Sequence, residues 1–211
     1  MTEEDAKAWL AHHVSRETLE RLQVYYDLLQ KWQRTVNLVA PATLDEAWSR
    51  HFVDSAQLFQ IAPRYSTNWL DLGSGGGFPG LVIAAMGTEN DPDYRVTLVE
   101  SDIRKCGFLR EVARKMGVTV HILSRRIGDI PKQLPDVVSA RALSDLSTLI
   151  DHAKPHLTPK TQLLFSKGHA WREEVETLPI RWQSICEPVP SVTHPDAVIL
   201  RFDTSQLKDE A

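Results

Sequence analysis

The sequence predicts an α/β protein: a doubly wound, mostly parallel sheet carrying an N-terminal helical extension. Three observations support that prediction. From residue 63 onward, short apolar runs alternate with stretches of helical period, as strands joined by crossover helices do. Those runs are near-continuous in apolar residues, as strands covered on both faces must be. Before residue 63, apolar residues recur instead at helical spacing.

The elements follow in order. Thr2 with Asp5 reads as a capping box, and Ser15 with Thr18 as a second N-cap pair. Leu19, Leu22, Tyr26, Leu29, Trp32 and Val36 then form one stripe of a long amphipathic helix that Pro41 should stop. Thr43 and Glu46 pair as the next capping box, opening a helix through Trp48 and Phe52 to about Ile61. The stripe that includes Tyr25, Tyr26 and Trp32 keeps helical period, so it is expected in the core and not as a base-stacking platform.

After Pro63, "NWLDL" is a strand and "PGLVIAAMG" a helix opened by proline and closed by glycine. "YRVTLVE" is the next strand. "DIRKCGFLREVARKMG" is a helix with Arg114 and Lys115 in its last turn, where cations suit the dipole. "VTVHIL" and "PDVVSA" are strands, and "SDLSTLIDHAKPHL" is a helix capped by Ser144. "TQLLFSK" (strand), "WREEVETL" (helix) and "AVILRF" (strand) complete the series, with "WQSICEPV" a strand beside the last. Residues 1–62 are thus read as the extension and 63–211 as the sheet domain, together one compact unit.

Bulk properties narrow the function. The 211 residues carry a net charge of −4, which argues against coating naked nucleic acid. Yet Ser101–Arg141 holds nine Lys and Arg against four Asp and Glu, a local +5 that leaves −9 elsewhere. A basic middle in an acidic chain points to a local anionic partner. Cys106 and Cys186 match no metal or redox spacing, and a reducing cytoplasm is the simplest setting. "MTEEDAKAWL" is acidic where a secretory signal is basic, so no targeting segment is expected.

The densest signal is "DLGSGGGFPG", directly behind the first strand. Open α/β sheets bind ligands at that end of a strand. A P-loop is excluded, because Gly80 is followed by Leu81 and Val82 and not by Lys and Ser/Thr. A dinucleotide register fits Gly75, Gly77 and Gly80, but Pro79 removes a donor where a pyrophosphate needs one. The register Asp71, Gly73, Gly75, Gly77 (D-x-G-x-G-x-G) resembles the first motif of S-adenosylmethionine-dependent methyltransferases. Glu100, ending "VTLVE", stands where an acid takes both ribose hydroxyls, a role common to both ligands.

Methyltransferase chemistry leaves local marks. The fourth strand runs into "VVSARALSDL", without the Asn/Asp-Pro-Pro-aromatic motif of exocyclic-amine enzymes. Neither cysteine adjoins a proline as a carbon-5 nucleophile would. What remains is an acceptor with an available lone pair, such as an aromatic ring nitrogen, for which alignment suffices.

The segments "YYDLLQKWQRTVNL", "RHFVDS", "DLGSGGGFPG", "LVES", "LSRR", "SARALSDL" and "SKG" together resemble the ribosomal RNA small-subunit methyltransferase G family, formerly glucose-inhibited division protein B. The likeness runs from about Tyr25 to Gly168 and weakens after it, where "PSVTHPDAVIL" lacks the family's basic ending. It implies a Rossmann-like class I methyltransferase domain that uses S-adenosylmethionine to methylate N7 of one guanine in the decoding-region loop of bacterial 16S rRNA. The substrate would be the small ribosomal subunit or an assembly precursor; no metal is expected, and a monomer is taken as the default.

Position by position, the resemblance implies cofactor contacts at Gly73, Ser74, Gly75, Gly77, Phe78, Glu100, Arg126, Ile127 and Arg141. Ile127 departs from the family, which usually has an acid there. Arg141 is the nearest candidate for a catalytic role and is expected to address the methionine carboxylate, a phosphate or guanine O6, since a donor on N7 would occupy the attacking lone pair. RNA contacts are implied at Asn37, Arg50, His51, Arg125 and Lys167, with Asn37 alternatively a helix C-cap and His51 equally a packed, hydrogen-bonded histidine on the inner helix face beside Phe52. Arg104 and Lys105 extend a phosphate-binding face, while Arg110 and Arg114 read rather as a solvated helix surface. Two other functions stay open: a small-molecule methyltransferase, and a non-catalytic cofactor-sensing RNA-binding regulator.

Overall fold

The structure is a computed structural model that describes residues 1–141 and 143–207. Helix α1 (Glu3–His13) opens on the predicted capping box, with Thr2 Oγ1 accepting from Asp5 N at 3.1 Å and Asp5 accepting from Thr2 N at 3.2 Å. Helix α2 (Arg16–Trp32) starts at Ser15, whose hydroxyl accepts from Thr18 N. It ends at Trp32, well before Pro41. The side chain of Gln33 is the reason: its Oε1 accepts from Leu38 N and Val39 N and its Nε2 donates to Val39 O, folding the chain back on itself.

The next helix also differs from expectation. Pro41–Thr43 make one 3₁₀ turn, Trp48–Val53 wind as a π-helix, and α3 (Asp54–Ile61) continues it. Thr43 caps nothing. The amides of Trp48 and Ser49 are taken by the Glu3 carboxylate of α1, at 3.0 and 2.8 Å. A cap supplied from another helix leaves no local pattern in the sequence.

Seven strands form one sheet: β1 (Asn68–Leu72), β2 (Arg95–Glu100), β3 (His121–Ser124), β4 (Val137–Arg141), β5 (Gln162–Lys167), β6 (Cys186–Pro190) and β7 (Val198–Asp203). Their spatial order is β3-β2-β1-β4-β5-β7-β6. The pairings among β1 to β5 are parallel, and β7 runs antiparallel to both β5 and β6. Helices α4 (Gly80–Asn90), α5 (Ile103–Met116), α6 (Leu146–Ala153), α7 (Trp171–Glu176) and the single turn α8 (Ile180–Gln183) connect the strands.

Each central strand feeds two cores, as its continuous apolar run requires. Trp69, Val137, Leu164 and Ile199 point into the core shared with α1–α5, while Leu70, Val138, Leu163 and Leu200 point into the core under α6–α8. Several boundaries differ from expectation. Helix α4 does not close at Gly87 but runs on to Asn90. Val118 N returns to Ala113 O behind left-handed Gly117 (φ +68°), so β3 starts only at His121. Asp145, not Ser144, caps α6, accepting from Thr148 N at 2.9 Å. The stretch "WQSICEPV" divides between α8 and β6.

Candidate active site

Strand order reverses between β1 and β4, and ligands of open α/β sheets bind at such a switch point, at the strands' carboxyl ends. The loop after β1 is anchored from below by Asp71. This carboxylate is wholly buried, accepting from Ser139 Oγ at 2.7 Å and from Gly80 N at 3.3 Å, while Ser139 Oγ accepts from Trp69 Nε1 at 2.8 Å. Burial pushes its pKa up to about 6.

That shift has a sign that can be measured. Between about pH 4 and pH 6 the folded state holds a proton on Asp71 that the unfolded chain releases, so this group's contribution to stability falls as pH rises. Asp71→Asn does not titrate. The variant's stability relative to the parent should therefore grow by up to about 1.4 kcal/mol per pH unit across that window. Urea unfolding at several pH values checks this, and a pH-independent difference would contradict it.

Above Asp71 the chain turns through three glycines with positive φ: Gly73 (+67°), Gly75 (+54°) and Gly77 (+92°). Ser74 closes the turn, its N–H donating to Val99 O and its hydroxyl to Asp71 O. Gly75 N donates to Glu100 Oε2 at 2.9 Å, and Asp102 N donates to Glu100 Oε1 at 2.8 Å. One carboxylate thus ties the loop after β1 to the loop after β2. Close packing adds to this at Gly76, where a Cβ would lie 2.9 Å from Leu38 O, while one on Gly73 would meet the exposed Leu143 Cδ1, in the loop after β4, at 2.6 Å.

The helical extension forms the back of the site. Tyr25, fully buried, donates its hydroxyl to Gly76 O and stacks on Phe78 with ring centroids 4.8 Å apart. Burial raises its pKa well above the ordinary tyrosine value, so the hydroxyl keeps the proton it donates. Tyr26 and Trp32 pack partly buried against the same core. The aromatic stripe is core, as its period implies.

Phe78 also receives the His51 ring at 5.0 Å and the Arg141 guanidinium at 5.1 Å. Arg141 Nη1 donates to Arg50 O at 3.0 Å, lies 2.8 Å from His51 Nδ1 and 3.9 Å from Asp54 Oδ2. Burial draws the His51 pKa down to about 2, with the charges of Arg141 and Arg50 acting the same way. Asp54 is raised by burial against the pull of Arg141.

These groups border one cavity of about 1300 Å³. Of the residues singled out from sequence, Gly73, Ser74, Gly75, Phe78, Glu100, Arg126, Ile127, Arg141, Arg50, His51, Arg125 and Lys167 line it. Gly77 lies behind the turn and does not. Neither does Asn37, which is exposed and accepts from Gln33 Nε2 at 3.3 Å; it caps no helix. Arg50, Arg125 and Arg126 are exposed on the rim. Lys167 is only 9 % exposed, donating to Ser144 O at 2.8 Å and paired with Glu174 at 2.6 Å. Glu174 also accepts from Leu146 N, so this ion pair fixes the start of α6. On the basic face, Lys105 lines the cavity while Arg104 and Arg114 pair with Asp102 and Glu111.

Sequence reading missed Thr43, Asp54 and Glu174 as parts of this architecture. Asp54 had a signal, lying one turn after Arg50 in "RHFVDS". Thr43 meets His51 eight residues on and Glu174 meets Lys167 seven residues back, through turns with no regular period, and neither had a signal. Among the described residues, no group of three or more His, Cys, Asp or Glu is placed to hold a metal ion.

Comparison with known proteins bears on this site. The family model of rRNA small subunit methyltransferase G (GidB) matches residues 18–197, past the Gly168 where the likeness was expected to weaken. Ribosomal RNA small subunit methyltransferase G of Jannaschia sp. (strain CCS1) is 61 % identical over 210 residues, covering 100 % of both chains. Its namesake in Ruegeria sp. (strain TM1040) is 47 % identical over 94 % of this chain and 96 % of its own. Two solved structures share the fold at 16 % identity. Ribosomal protein L11 methylase from Lactobacillus delbrueckii subsp. bulgaricus has a TM-score of 0.56 over 70 % of this chain and 74 % of its own. P. horikoshii TYW2, in complex with MeSAdo, has 0.57 over 81 % and 66 %. With the family model spanning most of its length and relatives matching it end to end, the chain belongs to the rRNA small subunit methyltransferase G family.

Proposed function

We propose that this protein transfers a methyl group from S-adenosylmethionine to N7 of a single guanine in the decoding-region loop of 16S rRNA. The cofactor is S-adenosylmethionine, as membership of a methyltransferase family requires. The observation that carries the reading is the cavity at the switch point, where the glycine turn, Glu100 and Arg141 share one space with a cationic rim.

The residues present fit the cofactor. Gly73 and Gly75 expose backbone without side chains, and the Glu100 carboxylate is held rigidly by two backbone N–H groups beside the cavity. In this reading Glu100 accepts the ribose hydroxyls, Phe78 contacts the cofactor, and the backbone of Arg126 and Ile127 borders the adenine. Ser74, at the cavity wall, and Gly77, behind it, shape the turn. Bound S-adenosylmethionine supplies an electrophilic sulfonium methyl group. Guanine N7 offers a lone pair and loses no proton on methylation, so the chain's task is alignment. Arg141, based on Phe78, faces the cavity as the fixed cation of the site.

Arg50 and Arg125, exposed on the rim, suit phosphate contacts, and Asn37 lies outside the cavity where an RNA strand could reach it. Lys167 acts through its ion pair with Glu174, which shapes the wall. A net charge of −4 favours a folded ribosomal particle over free RNA as substrate, recognised by shape as well as phosphate. The target base leaves its stack to reach the cavity, at a cost of a few kcal/mol that is lowest in a loop. We place the enzyme in the cytoplasm as a monomer; no helix among the described residues is long and apolar enough to cross a membrane.

The test is transfer of labelled methyl from S-adenosylmethionine to small subunits from cells lacking the modification, beside protein-free 16S rRNA, with the product base mapped. Label recovered as N7-methylguanine at one site is the expected result. Label on another atom, on a small molecule, or nowhere despite cofactor binding would overturn it.

A further inference from the structure

The contacts around Arg141 run in one direction only. A guanidinium donates and never accepts, so each atom it bonds must be an acceptor. Nη1 lies 2.8 Å from His51 Nδ1. That nitrogen must therefore be the bare one, and the ring proton must sit on Nε2. Nε2 lies 2.8 Å from Thr43 Oγ1 and donates to it, while the Thr43 hydroxyl donates onward to Ala40 O at 2.8 Å. Every member of the chain Arg141–His51–Thr43–Ala40 has its role set by the cation at its head. The described hydrogen bonds and ion pair of the guanidinium use Nη1, reaching Arg50 O, His51 and Asp54, while its face rests on Phe78; Nε and Nη2 are left for other partners.

We propose that His51 is a positioning residue: as a fixed Nε2–H tautomer it holds Nη1 of Arg141 and so sets the direction in which the remaining guanidinium donors meet the cavity's ligands. Its place among the implied RNA contacts is thereby taken by an internal role, because both ring nitrogens are engaged inside the protein. Nor can it serve as a general base, since its only free lone pair is occupied by Arg141. Burial of the ring beside Phe78, and the nearby charges of Arg141 and Arg50, oppose its protonation, while the carboxylates of Asp54 and Asp71 act on Arg141. The identity of the ligands rests on the methyl-transfer reading; the tautomer does not.

Two measurements decide it. The first is the imidazole nitrogen spectrum of the full chain labelled with ¹⁵N-histidine and free of ligand, with the His51 signals identified by their loss in His51→Asn. The expected result is one pyridine-like Nδ1 and one pyrrole-like Nε2, unchanged from neutral to mildly acidic pH. An Nδ1–H tautomer or an imidazolium would overturn the proposal. The second is kcat/KM for methyl transfer, with melting temperatures recorded alongside.

His51→Phe keeps the stack on Phe78 but removes the acceptor, and should lose about tenfold or more, the worth of one hydrogen bond to a charged group. His51→Asn returns an oxygen near the position of Nδ1 and should recover to within about threefold of the parent. Equal losses in both variants at parental melting temperatures would overturn the proposal. If the parent transfers no methyl group, the methyl-transfer reading fails, and the nitrogen spectrum alone still decides the tautomer.

Discussion

Gly77→Ala is expected to lower stability by about 2–5 kcal/mol, a fall in melting temperature on the order of 10 °C for a chain of this size. Two costs add. The backbone has φ +92°, which an L-residue adopts only under strain. The new Cβ would also lie 2.5 Å from Leu81 Cδ1 and 2.7 Å from the Tyr25 hydroxyl. Leu81 can rotate away. Tyr25 cannot, because its hydroxyl is bonded to Gly76 O and its ring is stacked on Phe78 and edge-on to Phe52.

Gly75→Ala is the control, with φ +54° and nothing nearer its Cβ than Gly73 O at 3.8 Å. It should cost only the backbone strain, about 1–2 kcal/mol. Thermal and urea unfolding of the two variants check the prediction. Equal losses would mean that the packing of α2 on the turn contributes nothing.

Glu100→Gln is expected to weaken binding of S-adenosylhomocysteine by roughly 100-fold, about 3 kcal/mol, measured by titration calorimetry. A carboxylate accepts at both oxygens, and Glu100 uses one for Gly75 N and the other for Asp102 N. An amide accepts at one position only, so its NH₂ must face one of the two backbone donors. One loop is then released. Under the proposed reading the ribose also exchanges a charged acceptor for a neutral one, which forfeits about half the strength of its hydrogen bonds. A change of less than threefold would show that Glu100 ties loops together without touching the ligand.

Much of this architecture was legible in the chain because it is local. The capping box of Thr2 and Asp5, the Ser15 cap, the left-handed stop at Gly117 and the glycine turn depend on residues a few positions apart. Apolar runs reported two-sided burial for the same reason, since consecutive residues face opposite layers. One error has the opposite property: the π-helix after α2 is capped by Glu3 from α1, more than forty residues away. The other two are local competitions that residue type left undecided: Gln33 folds the chain back onto Leu38 and Val39 where the apolar stripe ran on, and Asp145 outcompetes its neighbour Ser144 at α6.

The candidate site divides along the same line. Residue types and spacing alone established an α/β sheet with a ligand turn behind its first strand, an acid after its second and a cationic middle, because period, glycine φ and charge belong to short stretches of chain. Only the tertiary structure decided what those residues do together. It turned His51 and Lys167 inward, left Arg50 and Arg125 on the rim, put Gly77 behind the loop, and brought Arg50, His51 and Asp54 onto Arg141 some ninety residues away. A hydrogen bond's direction and a side chain's exposure depend on partners that meet only when the sheet and its helical extension close on one another.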